Sequence, residues 1–446
     1  MSDVQSDSVS DCTSFPLGLA IDIGTTTVAM ELIRLDSGES IASDTFLNSQ
    51  RRFGADVLSR IRSAGNGHAE ELRAVIHADI AAGIDRLTNK AGVLPSSIQK
   101  AVVAANTTMV HLFLGLPTDT LGTAPFVPAA TIFPNYDFSS QGTSALENTT
   151  RNPYGNMTIP FHLVPSVSAF IGGDTVAGLA FLDSTCFRKK SAASSKPEMI
   201  TNRVGRTEAP ILFIDLGTNA EMVLIANGTY WCTSAAAGPA FEGGKISCGI
   251  GCVPGAVASV FSEGNRFGYS MIGDVNAEQI RQPIGLCGSG LMDFVACALD
   301  AGLIREDGSL SPVCEGSGIL LDSAGRIRLL QRDIREVQLA KAAIRAGVHI
   351  LAAVAGISES SIQRVFLAGS FGLAMNEKSA LTIGLLPKTL AGRTVSIGNT
   401  SLAGAARFLL DPEVSDRFES IIQHAKTVSL ADHSDFNRLF VDYMNF

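Results

Sequence analysis

Ala20-Ile21-Asp22-Ile23-Gly24-Thr25-Thr26-Thr27-Val28-Ala29 is the stretch on which the fold turns. Apolar residues run up to it and away from it, which predicts two strands joined by a turn. Gly24 lets the backbone approach an anion. The hydroxyls of Thr25, Thr26 and Thr27, with the turn's own N–H groups, offer donors to phosphate oxygens. Asp22, at the end of a buried strand, is placed to hold the water shell of a Mg²⁺ ion, which binds through one or two carboxylates and keeps several waters. Taken alone, an Asp-x-Gly-Thr turn is equally an ordinary hairpin.

The pattern occurs twice. Ile211-Leu212-Phe213-Ile214-Asp215-Leu216-Gly217-Thr218-Asn219-Ala220-Glu221-Met222-Val223-Leu224 is again an apolar strand, an Asp-x-Gly-Thr turn and a second apolar strand. The two aspartates are about 190 residues apart, the length of one domain, so the repeat is a duplicated unit. Gly217, Thr218 and Asn219 take the phosphate-binding places of the second turn, and Asp215 the water-mediated Mg²⁺ place. The fold class expected is α/β: two duplicated lobes with a nucleotide cleft between them.

Composition sets the bounds. A chain of 446 residues exceeds one core and predicts two or three domains. Its formal charge of −9 argues against a nucleic-acid surface. No apolar run reaches the length of a membrane span, and the polar, acidic start from Met1 to Asp7 lacks a signal-peptide pattern. The expectation is a cytoplasmic protein with reduced thiols. Of the eight cysteines, Cys12, Cys186, Cys297 and Cys314 are scattered. Cys248 and Cys252 share the glycine-rich loop Ser247-Cys248-Gly249-Ile250-Gly251-Cys252, and Cys287 lies in a second, Gly285-Leu286-Cys287-Gly288-Ser289-Gly290. This spacing fits neither a ferredoxin run nor a zinc ribbon. A structural reading leads, with metal or cluster binding as its alternative.

In chain order, residues 1–16 are expected as a disordered tail and 17–187 as the first lobe, with a loop-rich insertion near 117–160. A linker or insertion covers 188–208, the second lobe 209–410, and a helical closure 411–446, a long helix followed by a shorter one. The apolar end of that closure is expected to pack back or to meet another subunit, so a homodimer is possible by sequence. Asp56 opens a helix after the polar junction Asn48–Phe53, and Asp174 follows Gly172-Gly173 at the start of a small-residue helix. Either is placed to orient an attacking water, and either is equally a helix cap. His111 is expected as a satisfied core residue. Gly238, Glu242 and Lys245, in Gly238-Pro239-Ala240-Phe241-Glu242-Gly243-Gly244-Lys245, lie where backbone N–H groups and an ammonium meet phosphates or the base. Gly288 and Ser289 open a helix whose dipole suits an anion. Gly369, Ser370 and Gly372 form a turn with room for a base and ribose.

Phosphate hairpin, small-residue helix, second phosphate hairpin, glycine turn and second connecting helix follow one another in an order that resembles the actin, sugar-kinase and Hsp70 superfamily of ATPases. Within it, Asn48 to Ile61, Asn106 to Met109, Gly238 to Gly255, Pro283 to Gly290, Asp333 to Gly347 and Phe366 to Gly372 resemble the ATP-dependent reductive activators of corrinoid proteins. The resemblance implies two duplicated actin-like, RNase H-like lobes with Mg-ATP bound between them, and hydrolysis coupled to a corrinoid client whose Co(II) is returned to Co(I). Typical members carry an N-terminal ferredoxin-like domain with four cluster cysteines, whereas only Cys12 precedes the first hairpin here. An iron–sulfur cluster in this chain is therefore not expected, and a separate ferredoxin-type donor is. The alternatives are a small-molecule kinase of the same fold, an activator of a non-corrinoid redox protein, and a scaffold without turnover.

Overall fold

The computed structural model describes residues 15–139, 158–186, 209–264, 266–273, 282–322, 325–369, 375–411 and 413–446. The expected tail up to residue 14, the 188–208 linker, the 140–157 part of the insertion, and Ser370 and Gly372 lie outside these. The described chain forms two compact units. One runs up to Pro165 and includes Leu402–Ser415; the other is Ser166–Ser401 with Asp416–Phe446.

The first unit is built on β1 (Leu17–Ile23), β2 (Thr27–Arg34), β3 (Ser40–Leu47), β4 (Ile98–Ala105), β5 (Tyr136–Ser139) and β6 (Thr158–Leu163). Their order in the sheet is β3-β2-β1-β4-β6-β5. β1 pairs antiparallel with β2 and parallel with β4, and β4 runs parallel to β6. β1 is almost wholly buried, which suits a central strand covered on both faces. Between β3 and β4 come α1 (Val57–Ser63), a π turn (Ala64–His68) and α2 (Ala69–Ala91). Leu72, Ile76, Ile80, Ile84 and Leu87 put one apolar face of α2 into the core, and Gly92 ends the helix in the left-handed region. α3 (Thr107–Leu114) follows β4 directly, capped by the Asn106 side chain. His111 lies within α3 rather than at its start. Its Nδ1 faces the Thr107 carbonyl at 2.7 Å, and its Nε2 accepts from Ala130 N at 3.4 Å, so it is a satisfied core residue.

The second unit opens with α4 (Gly173–Cys186). Its sheet is made of β7 (Ile211–Leu216), β8 (Ala220–Ala226) and β9 (Thr229–Ala235) with strands from much later in the chain. A smaller sheet follows: β10 (Ala256–Glu263), β11 (Arg266–Met271) and β12 (Gly285–Leu286), then α5 (Gly288–Asp300) and the hairpin β13 (Ile319–Leu320) and β14 (Arg328–Leu329). α6 (Gln331–Val354) is long and apolar enough to cross a membrane by length and composition, but it is largely buried and forms the core of this unit. β15 (Arg364–Ala368), α7 (Glu377–Thr382) and β16 (Thr394–Gly398) lead to α8 (Thr400–Leu410), most of which belongs to the first unit, and α9 (Val414–His424), which returns to the second. β17 (Ala425–Thr427) and α10 (Phe436–Asp442) close the chain.

The large sheet of this unit has the order β16-β15-β7-β8-β9-β17. β7 pairs antiparallel with β8 and parallel with β15, and β15 is parallel to β16. The first unit has the same five-strand plan, with β1, β2, β3, β4 and β6 in the places of β7, β8, β9, β15 and β16. Duplication is therefore a matter of topology as well as of motif.

Two features differ from the sequence reading. The small-residue helix α4, expected in the first lobe, groups with the second unit: Gly178 is pressed against Thr400 and the Phe213 ring, where a Cβ would overlap the Thr400 hydroxyl. The long terminal helix stops at His424, because the chain then adds to the sheet edge as β17, parallel to β9. The apolar end does pack back onto its own unit. Met444 O accepts from Gln338 Nε2 at 2.7 Å, the Tyr443 hydroxyl meets His349 Nδ1 at 2.9 Å, and Lys341 reaches the Asn445 carbonyl.

Candidate functional site

In the first unit the phosphate turn is held from behind by a buried polar network. Gly24 N bonds Thr27 O at 2.9 Å across the turn. Asn48 donates from Nδ2 to Gly24 O (2.9 Å) and from its backbone N to Thr26 O (3.0 Å). Arg60 Nη2 donates to Thr25 O at 2.5 Å and its Nε to Gly54 O at 3.0 Å, while Nη1 faces Gln50 Oε1 at 3.4 Å. Asn106 Nδ2 reaches Thr25 Oγ1 at 3.1 Å. Asn48, Gln50 and Arg60 are fully buried. Burial lowers the Arg60 pKa to about 10, still well above neutrality, so a positive charge sits directly behind the turn. Such a cation both fixes the Thr25 carbonyl and favours an anion on the turn. The Asn48–Ile61 junction thus supports the turn. Asp56 is taken up as the cap of α1: its Oδ1 accepts Ser59 N at 2.7 Å, and the Ser59 hydroxyl completes a capping box.

In the second unit, β7 delivers Asp215 to the mouth of a shorter turn, where Gly217 N bonds Asn219 O at 2.9 Å. Thr218 Oγ1 donates to Glu242 Oε2 at 2.5 Å, so Glu242, on the short 3₁₀ turn Pro239–Glu242, stands beside the phosphate turn. The register places Glu221 opposite Asp215, whereas the residue opposite Asp22 in the first unit is Ala29. Ser234 Oγ donates to Glu221 Oε1 at 3.1 Å. Burial raises the Glu221 carboxyl well above the usual carboxylate range, and the charges of Asp174 and Asp215 raise it further. Asp174, in the first turn of α4, accepts its neighbour's Thr175 N at 2.7 Å. Two sequence-derived candidates, Asp174 and Asp215, are thereby brought within electrostatic reach of a third acid that the sequence reading missed. The available signal was cross-strand pairing: a turn of three residues sets Asp215 and Glu221 side by side.

Other candidates are placed differently. Gly369, after β15, approaches the end of β7 so closely that a Cβ would overlap Leu216 O, and its φ is +118°. This seats the glycine turn against the residue preceding Gly217. Lys245 lies 3.9 Å from Glu336 Oε2 on α6 and is mostly solvent-exposed. Ser289 is buried and donates to Ala258 O at 2.7 Å, which makes it a tether for the start of α5 rather than a nucleotide contact. Gly288 is required there because a side chain would overlap the Phe241 carbonyl. Gly238, with φ +75°, opens the 3₁₀ turn that carries Glu242.

For a nucleotide with magnesium, the donor set fits. Hydroxyls and N–H groups line each turn, and each turn follows a strand with a carboxylate next to its last residue, Asp22 in one unit and Asp215 in the other, of the kind that suits a hydrated Mg²⁺. Burial and its acidic neighbours favour the neutral form of Glu221, which lessens the negative charge beside Asp215.

Residues 17–184 match the family described as the RACo middle region, and 209–446 match that described as the C-terminal, ASKHA domain of RACo. The chain is 32% identical to the corrinoid activation enzyme RamQ of Eubacterium limosum, over 94% of this chain and 68% of that protein. It is 26% identical to the [Co(II) methylated amine-specific corrinoid protein] reductase of Methanosarcina barkeri, over 93% of this chain and 73% of the other. Among solved structures, a reductive activator for corrinoid, iron–sulfur protein superposes with a TM-score of 0.82 at 32% identity, covering 98% of this chain and 67% of that one.

Proposed function

The chain belongs to the reductive activators of corrinoid proteins, and from that membership we propose that it hydrolyses ATP to drive the reductive activation of a corrinoid client. The observation that carries this reading is the pair of phosphate turns set at equivalent places in two sheets of the same strand order.

Gly24, Thr25, Thr26 and Thr27 in one unit, and Gly217, Thr218 and Asn219 in the other, bind phosphate oxygens. Asp22 and Asp215 hold Mg²⁺ through water, and the ion neutralises phosphate charge when bound. Asp174 is the better candidate than Asp56 for orienting the attacking water, because the Asp56 carboxylate already caps α1 while Asp174 shares its surroundings with Asp215 and Glu221. Glu242 positions Thr218, and Gly369, Ser370 and Gly372 are the nucleoside contacts. Glu221, whose neutral form burial favours, offers a hydrogen-bond donor beside Asp215 when protonated.

Electrons come from a ferredoxin-type donor outside these 446 residues. In support, Cys248 donates to the Arg328 carbonyl at 3.3 Å and is pushed up to about 11 by burial, a poor cluster ligand. The client's cobalt is the substrate: one electron converts Co(II) to Co(I), and ATP binding and hydrolysis supply the free energy for an unfavourable transfer.

The test is anaerobic. The chain is mixed with a corrinoid protein in the Co(II) state and a low-potential reductant, and the Co(I) absorption is followed with and without Mg-ATP. The expected result is Co(I) formation that requires ATP and falls at least about a hundredfold in Asp215→Ala. Equal rates with and without ATP would sink the proposal.

A further inference from the structure

The two glycine-rich cysteine loops, distant in sequence, meet in the second unit. Ile250 N donates to Leu286 O at 2.9 Å and Leu286 N to Cys248 O at 2.7 Å, so the first loop runs beside the residue preceding Cys287. On its other side Leu286 pairs with Val257 of β10, and Cys287 N donates to Val257 O at 3.1 Å. Residues 250–256 therefore arch over the end of β12. The arch turns back at Cys252, since Val253 N bonds Gly251 O at 2.8 Å across it. Cys252 is exposed at this apex, and Cys287 is buried next to Leu286, the residue to which the first loop is pinned.

Cys287 stands at the N-cap of α5, a helix of 13 residues, with its thiol 3.3 Å from Ser289 Oγ. We propose that Cys252 and Cys287 form a thiol–disulfide exchange site that takes a low-molecular-weight disulfide as its oxidant. The neighbouring Cys252 thiol, with the Gly290 and Ser289 N–H groups, lowers the Cys287 pKa to about 6 against the opposing effect of burial; the Cys252 thiol is raised in turn. Near neutral pH the pair holds one proton: Cys252 is the thiol and Cys287 the thiolate.

The exchange has two steps. Exposed Cys252 passes its proton to Cys287 and attacks one sulfur of the disulfide RSSR, forming Cys252–S–S–R and releasing RS⁻. Cys287 then gives that proton to RS⁻ and attacks the Cys252 sulfur, forming the Cys252–Cys287 disulfide and displacing the second RS⁻. The dithiol loses two electrons and RSSR gains them. The bond would clamp the arch to the start of α5, where Gly288 packs on the 3₁₀ turn that carries Glu242.

To test this, the full chain is incubated under nitrogen with excess glutathione disulfide at pH 7. Remaining thiols are then alkylated and the peptides mapped by mass. The expected product is a cross-link between the Cys252 and Cys287 peptides, reversed by dithiothreitol, with Cys248 still alkylated. In Cys287→Ser the exchange should stop at a glutathione adduct on Cys252; in Cys252→Ser, Cys287 should stay free. Native protein in which both cysteines remain free, or in which Cys252 keeps the adduct without cross-linking, overturns the proposal. The wild-type peptides alone decide between these outcomes, so the test holds even where a variant fails to fold, and it is independent of any ATPase measurement.

Discussion

A single acid shows how much a neighbour's charge decides. Glu221 lies opposite Asp215 and within the field of Asp174, and its pKa is raised in the folded chain. A carboxyl whose folded pKa lies above its unfolded value stabilises fully below the unfolded pKa, and that contribution is lost as pH rises through the folded one. Native protein should therefore lose thermal stability over the pH range above about 4.3, the ordinary glutamate pKa, more steeply than Glu221→Gln, which mimics the protonated form and does not titrate. Melting curves across that range check it, and parallel pH profiles for the two proteins would count against a raised Glu221. In the first unit the equivalent test is Arg60→Met. It keeps the buried stem but leaves the Thr25 and Gly54 carbonyls without their donor, at a cost of about 2–4 kcal/mol by urea unfolding. Nucleotide affinity should fall as well, because the same arginine sets the turn.

Among elements, the close seat of the glycine turn on β7 is the sharpest constraint. Gly369→Ala would put a Cβ onto Leu216 O at a φ of +118°, and the strand end bearing Asp215 would have to shift. The expected cost is about 1–3 kcal/mol of stability, with an ATP KM raised severalfold more than kcat is lowered. Calorimetry and steady-state ATPase rates measure both, and an unchanged KM would separate the turn from nucleotide binding. The strands around both turns were legible from apolar runs ending in Asp-x-Gly-Thr, and α2 and α6 from their helical periodicity. Glu221 was not, because its role arises from the register between β7 and β8 rather than from any motif. Ser289 misled because a helix-opening serine looks alike whether it faces a ligand or, as here, the Ala258 carbonyl. β17 was hidden because Ala425–Thr427 is a strand only by virtue of the β9 edge it joins.

For the whole molecule, the duplicated plan places an Asp-x-Gly-Thr turn in each unit, and coupling to a client must appear as a free energy shared between two ligands. If nucleotide changes the affinity for the corrinoid protein by some factor, the client must change the affinity for nucleotide by the same factor. Coupling of this kind is typically about 1–3 kcal/mol, or about 5–150-fold. A non-hydrolysable ATP analogue should therefore tighten client binding in titration calorimetry, and the client should tighten the analogue by an equal ratio. Asp215→Ala should bring both ratios towards unity, since it removes the group assigned to the ion that the nucleotide carries. Client binding that ignores nucleotide, with Co(I) formation still dependent on ATP, would place the coupling in the hydrolysis step. A small-molecule kinase would instead show turnover that responds to an added metabolite and is indifferent to the corrinoid protein.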